Sequence, residues 1–397
     1  MRILILGQDF PNPYAATGMR IFSMLPYLSK KHDISLIAFK EMTKEDRYRH
    51  NIEEYCKTAE AVNLQARSTS QRMMFAILNI FSKNYWLVDY YHSSEMETKV
   101  GKLLETKDFE IIYAQGPPMA QYVYNNTLPK VLEPGSAISR SFYQHYIQEN
   151  FLPRKIFWYL QHIKAKNYEM NMYKKFDMCI VDSLQDKDIL KSYLPNLNVF
   201  AIPYGVDCSY FKPMSNDQNS LNLVFVGVLN ATHNVSAILY FYNEIYPLIK
   251  QRLPSITLFL VGRNPSKEIQ QLALDTSVVV TGYVKDVRTF LAAASVVIVP
   301  MTSGSGIKIK ILEAMAMGKA VVTTSIGARG IGVTPEENII IADDPKEFLN
   351  RVVELLNDEE LRKKIGVNAR KLVEEEYSWE KMTDMLNDIF QKVVNGR

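Results

Sequence analysis

The chain has 397 residues, of which 47% are hydrophobic and 22% charged. This length exceeds what one hydrophobic core usually organises, and the apolar content excludes an intrinsically disordered chain, so we expect two folded domains. The net charge of +3 gives no global electrostatic case for nucleic-acid binding.

The three cysteines, Cys56, Cys179 and Cys208, are too few and too scattered for a disulfide framework. No cysteine or histidine cluster has the spacing of a metal site, so we predict no bound metal. The N-terminal apolar run ends at Gln8, which is too short for a secretory signal, and no stretch approaches the ~18 apolar residues of a spanning helix. We therefore expect a soluble cytoplasmic protein.

Short apolar, β-branched runs alternate with longer amphipathic segments along the chain. The predicted strands are Arg2–Leu6, Ile34–Phe39, Glu110–Ala114, Lys130–Leu132, Met178–Asp182, Val199–Pro203, Leu223–Gly227, Ile256–Gly262, Val278–Val280, Ser295–Pro300, Lys319–Thr323 and Asn338–Ala342. The predicted helices are Thr17–Lys30, Lys155–Lys175, Val235–Arg252, Pro265–Leu274, Ile307–Met317 and Pro345–Leu356. This alternation predicts two Rossmann-like α/β domains, each with a parallel sheet covered on both faces.

The domain boundary is predicted near the turn-rich segment Ile202–Asp207, which closes one α/β set and is followed by the polar run Ser215–Ser220. Two such domains facing each other would place a cleft between the carboxyl ends of their strands. Ligands of parallel sheets bind at those ends.

The segment Ser303–Lys319 carries the most chemistry. A buried strand is followed by a small loop with Gly304 and Gly306 and then by a helix, and a helix N-terminus suits a phosphate. We expect Gly306, Lys310 and Glu313 to share one helical face, with Lys310 near a diphosphate and Glu313 on ribose hydroxyls. An exposed Lys310–Glu313 ion pair on a solvated helix is an alternative explanation for the same residues. The segment alone does not distinguish this ion pair from a donor-binding site.

Two other strand-to-helix junctions are candidates. At Gly262–Pro265, Arg263 stands where a phosphate could bind, although a surface arginine is the simpler explanation, and we expect Asn264 to cap the helix that follows. At Phe10–Arg20, Gly18 opens a helix, but the segment is not a Gly-x-Gly-x-x-Gly loop. A nicotinamide or flavin cofactor is therefore unsupported.

The second half of the chain resembles the retaining glycosyltransferases of family 4, which have the GT-B fold. The resemblance rests on Asn222–Gly227, Phe259–Arg263, Val280–Asp286, Leu312–Val322, the interdomain-like segment Ile202–Asp207 and the C-terminal signature Tyr377–Glu380. It implies an acceptor-binding domain over residues 1–203, completed by a C-terminal helix at about 379–397, and a domain for the nucleotide-sugar donor over residues 204–378.

The resemblance also implies roles for individual residues. Glu313 is similar to the family's ribose-binding glutamate, Gly282, Tyr283 and Val284 look like the backbone that meets the base, and Glu133 and Gly135 occupy the place where the transferred sugar is met. Ser305, Val228 and the pair His233–Asn234 depart from the family's usual phosphate clamp, so Lys308, Lys310 and Arg263 become the candidate cations. The predicted catalytic residues are Glu133, Lys310 and Glu313, and the predicted donor-binding residues are Gly18, Arg263, Gly282, Tyr283, Val284, Gly304, Ser305, Gly306, Ile307, Lys308, Lys310 and Glu313.

The implied function is transfer of a sugar, with retention of configuration, from a UDP- or GDP-linked donor to a glycan or lipid-linked acceptor in cell-surface polysaccharide synthesis. No metal is expected, because backbone N–H groups and cationic side chains would stabilise the leaving diphosphate. The three departures motivate one alternative, a non-catalytic partner protein of GT-B fold. A nucleotide-sugar epimerase of the same fold is a second alternative.

Two segments of the first domain combine apolar and aromatic residues with cations. They are Arg72–Leu87 and the helix Lys155–Lys175, which ends in Lys174 and Lys175. This combination is typical of an interfacial helix that contacts anionic lipid, and it predicts a peripheral membrane contact at the inner membrane face. Core packing of a long helix is the alternative, and the sequence alone favours it.

Overall fold

The structure is a computed structural model that describes residues 1–13, 16–41, 50, 52–64, 68–215, 221–304 and 306–396. The chain divides into two compact units. The first unit comprises Met1–Pro203 and Met382–Arg397, and the second comprises Tyr204–Lys381. No helix among the described residues has both the length and the apolar character needed to cross a bilayer.

The first unit is built on a seven-stranded parallel sheet with the strand order β3-β2-β1-β4-β5-β6-β7. The strands are β1 Arg2–Gly7, β2 Asp33–Glu41, β3 Thr58–Leu64, β4 Ile111–Gln115, β5 Lys130–Gly135, β6 Met178–Val181 and β7 Val199–Ala201. The helices are α1 Ala16–Leu28, α2 Thr69–Asn79, α3 Trp86–Tyr90, α4 Ser94–Thr106, α5 Ile138–Gln148, α6 Leu152–Met172 and α7 Leu184–Tyr193. In the central strand β1, Ile5 pairs with Leu36 on one side and Tyr113 on the other, and the strand is buried on both faces.

The second unit is built on a six-stranded parallel sheet with the order β10-β9-β8-β11-β12-β13. Its strands are β8 Asn222–Val226, β9 Thr257–Val261, β10 Val278–Gly282, β11 Val296–Val299, β12 Val321–Thr323 and β13 Ile340–Ile341. The helices are α8 Thr232–Tyr240, α9 Tyr246–Arg252, α10 Lys267–Gln271, α11 Arg288–Ala293, α12 Ile309–Ala316, α13 Ser325–Ala328, α14 Pro345–Asn357 and α15 Glu359–Glu376. Helix α16, Trp379–Asn395, begins at the end of this unit and belongs to the first unit from Met382 onward. Leu223 and Phe225 belong to one core cluster and Val224 and Val226 to another, so the sheet has a packed core on each face.

These two sheets confirm the prediction of two α/β domains with parallel sheets. The predicted helix Lys155–Lys175 instead runs over Leu152–Met172, and the predicted helix over 235–252 is interrupted by a π-helical turn at Phe241–Ile245. Strand β3 was not predicted. Its residues are mostly only partly buried because it lies at the sheet edge, and its sequence contains Glu60 and Asn63, so it lacks the continuous apolar run of a central strand.

The first and last segments of the second unit lie side by side. The N–H of Val206 donates to the carbonyl of Tyr377 at 2.8 Å, and the N–H of Trp379 donates to the carbonyl of Val206 at 3.3 Å. The rings of Tyr204 and Trp379 are 6.0 Å apart. The two segments that resemble the family's interdomain and C-terminal signatures are therefore in direct contact.

Candidate functional site

The candidate site lies at the carboxyl ends of β8, β9 and β11, where loops connect these strands to helices. Gly227 follows β8 and Gly262 follows β9, and a Cβ on Gly262 would lie 1.7 Å from the carbonyl oxygen of Gly227. The N–H of Leu229 also donates to the carbonyl of Arg263 at 3.0 Å. The two loops are therefore joined through their backbones, and only glycine fits at 262.

Lys310 crosses from α12 to the loop after β8. Its ammonium group donates a 2.6 Å hydrogen bond to Oδ1 of Asn234 and lies 4.2 Å from the ring centroid of Phe225. A Cβ on Gly227 would lie 2.9 Å from Nζ of Lys310, so a larger residue at 227 would displace the lysine. The alternative of an exposed Lys310–Glu313 ion pair is wrong, because Lys310 is partly buried and donates to Asn234 instead.

Burial strongly affects the protonation of both groups. It lowers the pKa of Lys310 to about 7, although the nearby Glu313 opposes this shift and Lys308 adds to it. Burial raises the pKa of Glu313 to about 7, against the attraction of Lys310. Two charged groups that are held this far from their ordinary pKa values are costly for folding and are typical of a binding or catalytic site.

The loop between β11 and α12 has the backbone that a close ligand approach requires. Gly304 and Gly306 have φ angles of 114° and 69°, which favour glycine, whereas Ser305 lies outside the described residues. Helix α12 begins at Ile309 with Lys308 as its N-cap, so the prediction that Gly306 shares a helical face with Lys310 and Glu313 is wrong for Gly306. The glycine belongs to the loop because its positive φ does not fit a helix.

Lys308 adds a second cation to the same loop. Its side chain is buried, and its Nζ donates to the carbonyl of Gly306 at 2.9 Å. Burial lowers the pKa of Lys308, and the charge of Arg329 lowers it further. The pKa of His233 is lowered by burial and then by Lys310 and Lys308. Cations that suppress one another's charge in this way favour an anionic ligand, because its charge would offset theirs.

The remaining predicted donor-binding residues extend the same edge of the sheet. Arg263 is exposed, and the structure gives its side chain no ion pair or hydrogen bond with any described residue. The prediction that Asn264 caps the next helix is wrong: Asn264 has a φ of 55°, and Ser266 accepts the capping hydrogen bond.

Tyr283 follows Gly282 at the end of β10 and is 73% exposed, whereas Val284 and Ile307 pack against the core.

Residues 220–358 match the family model described as "Glycosyl transferases group 1". The chain is 21% identical to an uncharacterized 44.6 kDa protein in the cps region of Klebsiella pneumoniae, over 96% of this chain and 97% of that one. It is 26% identical to the capsular polysaccharide biosynthesis glycosyltransferase CapM of Staphylococcus aureus, over 55% of this chain and 63% of CapM. The chain is a GT-B glycosyltransferase.

Solved structures agree with this fold. The glycosyltransferase resembles the sucrose-phosphate synthase of Thermosynechococcus elongatus with a TM-score of 0.71 and 15% identity, over the whole of both chains. It resembles Anabaena HepE, solved in complex with UDP and glucose, with a TM-score of 0.67 and 15% identity, over 98% of this chain and 99% of HepE. The predicted GT-B fold is therefore confirmed.

In the first unit of the glycosyltransferase, Gly18 lies in the first turn of α1. A Cβ at this position would lie 2.8 Å from the carbonyl oxygen of Phe10 and 2.9 Å from Nδ2 of Asn12. The glycine therefore allows the helix to pack closely against the loop after β1. This packing is a sufficient structural reason for glycine, and the predicted contact with the donor stays a prediction.

Glu133, the other predicted residue of the first unit, is part of a buried ionic cluster. Its Oε1 lies 2.7 Å from Nε of Arg20, and its Oε2 accepts a hydrogen bond from Tyr113. Arg20 also donates from Nη2 to Asp182 at 2.6 Å. Burial raises the pKa of Glu133 and raises that of Asp182 to about 7, and Arg20 opposes both shifts. The predicted contact of Glu133 with the sugar stays a prediction.

Three residues of these clusters were not predicted as site residues: Arg20, Asp182 and Asn234. Asp182 could have been recognised as a carboxylate directly after the apolar strand β6, which is where ligand-binding residues of parallel sheets lie. In the sequence, Asn234 is distinguished only as a departure from the family pattern. Arg20 is distinguished only by its place in a predicted helix. Among the described residues, no group of three or more histidine, cysteine or acidic side chains could hold a metal ion.

Proposed function

We propose that the protein is a retaining glycosyltransferase of family 4 that transfers a sugar from a nucleoside diphosphate sugar to a glycan or lipid-linked acceptor. The pathway we propose is the synthesis of a capsular or other cell-surface polysaccharide. The similarity to CapM and to the protein of the Klebsiella cps region supports this pathway. We also propose a cytoplasmic location, where nucleotide sugars are made.

One observation carries the donor assignment. Lys308, Lys310 and His233 converge beside a glycine loop at the carboxyl ends of β8 and β11, and each has a lowered pKa that an anion would restore. A diphosphate is the anion that fits these cations and the N-terminus of α12. We propose that Arg263 completes the contacts with the diphosphate, and that UDP or GDP is the carrier.

In this proposal Glu313 binds the ribose of the donor. Its carboxylate lies one helical turn after Lys310, so a diphosphate near the lysine would leave the ribose within reach of the glutamate. Gly282, Tyr283 and Val284 would meet the base, with the exposed ring of Tyr283 available to stack on it. The second unit thus serves as the donor domain, and the first unit serves the acceptor.

The proposed reaction breaks the bond between C1 of the sugar and the β-phosphate oxygen. A hydroxyl oxygen of the acceptor forms the new bond to C1 on the same face, and its proton passes to the departing phosphate. Lys308 and Lys310 would stabilise the negative charge that grows on the diphosphate, so they lower the barrier as well as bind the donor. We propose that this charge is offset without a metal, so that activity survives a chelator.

The test is donor binding and nucleotide release with a panel of UDP- and GDP-sugars. Replacing Glu313 with Ala should weaken donor binding roughly 10- to 150-fold, the value of a charge-assisted hydrogen bond in a desolvated site. Lys310→Ala should lower both affinity and kcat. The matched controls are Glu360→Ala and Lys363→Ala, two exposed residues of α15 in the same unit, and neither should change binding.

The outcomes separate the proposal from its alternatives. Release of nucleoside diphosphate with an acceptor, and an α-linked product from an α-linked donor by NMR, support retaining transfer. Interconversion of a free UDP-sugar without acceptor supports an epimerase, and binding of no donor in the panel overturns the donor site. If Lys310→Ala behaves like wild type while Arg263→Ala is inactive, the phosphate contact lies on the loop after β9.

A further inference from the structure

The solvent face of α6 carries an apolar stripe. Leu152, Ile156, Tyr159, Ile163 and Met170 are each between 37% and 66% exposed. They are separated by four, three, four and seven residues, which places them on one side of an α-helix. The alternative that this helix is apolar because it packs in the core is therefore wrong for these side chains.

The opposite face of α6 is buried, and beside Ala165 and Tyr168 it carries two polar side chains. Gln161 is buried, donates to Oδ1 of Asn79 at 2.9 Å and accepts from the N–H of Trp86 at 2.8 Å. Glu169 is also buried and accepts from the N–H of Ser139 at 3.0 Å. A surface helix of a globular protein normally turns its apolar stripe inward and its polar face to water. This helix packs apolar residues on the core and exposes a second set of apolar residues on its outer face, while its buried polar groups are satisfied. Its outer face is therefore suited to an apolar environment.

A second apolar stripe lies on the neighbouring helix α2. Met74, Ile77 and Leu78 of this helix are exposed, and Phe81, in the turn that follows the helix, is 86% exposed. Nζ of Lys164 in α6 donates to the carbonyl of Ile80 at 3.1 Å, so the end of α2 lies against the middle of α6. We call the two stripes together the apolar surface of the first unit.

Cations accompany this surface. Helix α6 contains four basic residues and one acidic residue, and that residue is the buried Glu169. Lys155 and Lys166 occupy equivalent positions beside the stripe, three residues after Leu152 and Ile163. No acidic residue occurs between Ala61 and Val88. Asp89, which interacts with Lys164, accepts hydrogen bonds from Asn79 and Asn84.

We propose that the apolar surface docks the protein on a membrane that contains anionic lipid. Exposed apolar and aromatic side chains would enter the interface between headgroups and acyl chains, and the lysines beside them would contact lipid phosphates. Self-association through this surface is disfavoured, because two copies would bring their lysines together without carboxylates between them. The inference stands on unit 1 alone and does not depend on the glycosyl transfer proposed above.

The experiment is co-sedimentation of the full chain with two kinds of vesicle, at low and high salt. One is phosphatidylcholine with about 30% phosphatidylglycerol, and the other is phosphatidylcholine alone. The charge variant is Lys155→Glu with Lys166→Glu, and the apolar variant is Ile156→Ser with Phe81→Ser. The control is Lys102→Glu with Lys267→Glu, two exposed lysines outside the apolar surface.

We expect binding to the anionic vesicles that weakens with salt and falls by about 30-fold or more in the charge variant, since each lysine contributes about fivefold near an anionic surface and each introduced glutamate adds repulsion. The apolar variant should also bind more weakly, and the control should bind like wild type. Thermal unfolding and UDP binding should be unchanged in every variant, which separates membrane docking from donor binding.

Absence of binding at low salt overturns the proposal, as does equal binding to both kinds of vesicle at every salt concentration. Binding that both variants retain would place the lipid contact elsewhere on the protein and also overturn it. Light scattering tests whether a second copy of this chain covers the surface instead of a membrane. A wild-type dimer that the apolar variant converts to a monomer would assign the surface to that second copy and overturn the proposal.

Discussion

Lys310 and Asn234 are joined by a 2.6 Å hydrogen bond that connects the first turn of α12 to the first turn of α8. Asn234 uses the other end of its amide to donate to the carbonyl of Val228 at 2.9 Å. The side chain is therefore oriented from two sides, and its oxygen is presented to the lysine. In our proposal for the donor site, Asn234 is a positioning residue that holds the ammonium group of Lys310 without neutralising it.

This relationship predicts different effects for two substitutions at 234. Asn234→Asp places a carboxylate beside Lys310, which should raise the lysine pKa but cancel its charge toward a diphosphate. Asn234→Ala only frees the lysine. Titration calorimetry with UDP should therefore give a larger loss of affinity for Asn234→Asp, on the order of tenfold or more, than for Asn234→Ala. Equal losses in the two variants would mean that Asn234 acts only through packing.

Glu313 predicts a pH-dependent stability difference. In the native state it keeps its proton up to about pH 7, whereas a glutamate in the unfolded chain loses its proton near its ordinary value of 4.5. Between these values the native state binds more protons, so this group's contribution to the free energy of unfolding falls as pH rises. Lys310 acts in the opposite direction above pH 7, because its native pKa is lowered from 10.5.

Glu313→Gln removes the free-energy cost of ionising a buried carboxyl group and keeps the size and shape of the side chain. Its free energy of unfolding, relative to wild type, should be higher at pH 7.5 than at pH 4.5 by on the order of 2 kcal/mol. Urea unfolding at the two pH values measures this difference. The control is Glu360→Gln, where the side chain is 88% exposed. Its free energy of unfolding should differ from that of wild type by the same small amount at both pH values. A constant difference for Glu313→Gln as well would contradict the burial of the Glu313 carboxylate.

The Arg20–Glu133 pair predicts a large loss of stability when it is broken. The two side chains are 1% and 3% exposed, so Arg20→Met would leave Glu133 and Asp182 without their cation in a desolvated site. We expect destabilisation by about 3–5 kcal/mol at pH 8. The loss should be smaller at pH 5, because both carboxyl groups have raised pKa values and would take up protons.

The control for this prediction is Lys363→Met, which removes an exposed pair with Glu359 and should leave the free energy of unfolding nearly unchanged. Glu133→Gln, in turn, tests the catalytic role predicted for Glu133. If the side chain contacts the sugar, the folded variant should lose kcat by more than its loss of stability explains. Normal kcat in a destabilised Glu133→Gln would leave this glutamate a purely structural role.

The parts of this protein that were predictable from sequence are those that depend on local pattern. Strands β1 and β8 are predictable because strands buried on both faces need continuous apolar residues. The loop with Gly304 and Gly306 is predictable because its positive φ angles favour glycine. The contacts that shape the site are not local. Arg20 and Asp182 are 162 residues apart, and Lys310 and Asn234 are 76 apart, so strand order decides which of them meet.

The sequence also could not predict that the apolar stripe of α6 faces the solvent. A helical period of apolar residues predicts one apolar face, and the usual assumption turns that face toward the core. Here the core accepts Gln161 and Glu169 as well as Ala165 and Tyr168, because Asn79, the backbone of Trp86, and Ser139 supply partners for the two polar side chains. Those partners belong to other elements, and nothing in the sequence of α6 identifies them.

The last prediction compares two glycines inside helices. A Cβ on Gly101 in α4 would meet nothing within 4 Å, whereas a Cβ on Gly366 in α15 would lie 2.1 Å from the carbonyl oxygen of Gly318, which follows α12. Gly101→Ala should therefore stabilise the protein by roughly 0.5–1 kcal/mol, through the higher helix propensity of alanine. Gly366→Ala should instead destabilise it by about 1–3 kcal/mol or more, because α15 must move away from backbone.

The two variants make the same chemical change at helix-interior positions, so their opposite signs isolate the packing of α15 against the end of α12. The same helix α12 carries Lys310 and Glu313, and the backbone beyond it would be displaced in Gly366→Ala. UDP binding measured alongside urea unfolding should therefore weaken in Gly366→Ala and stay unchanged in Gly101→Ala. If Gly366→Ala were as stable as Gly101→Ala, α15 would not pack as closely on Gly318 as the structure has it.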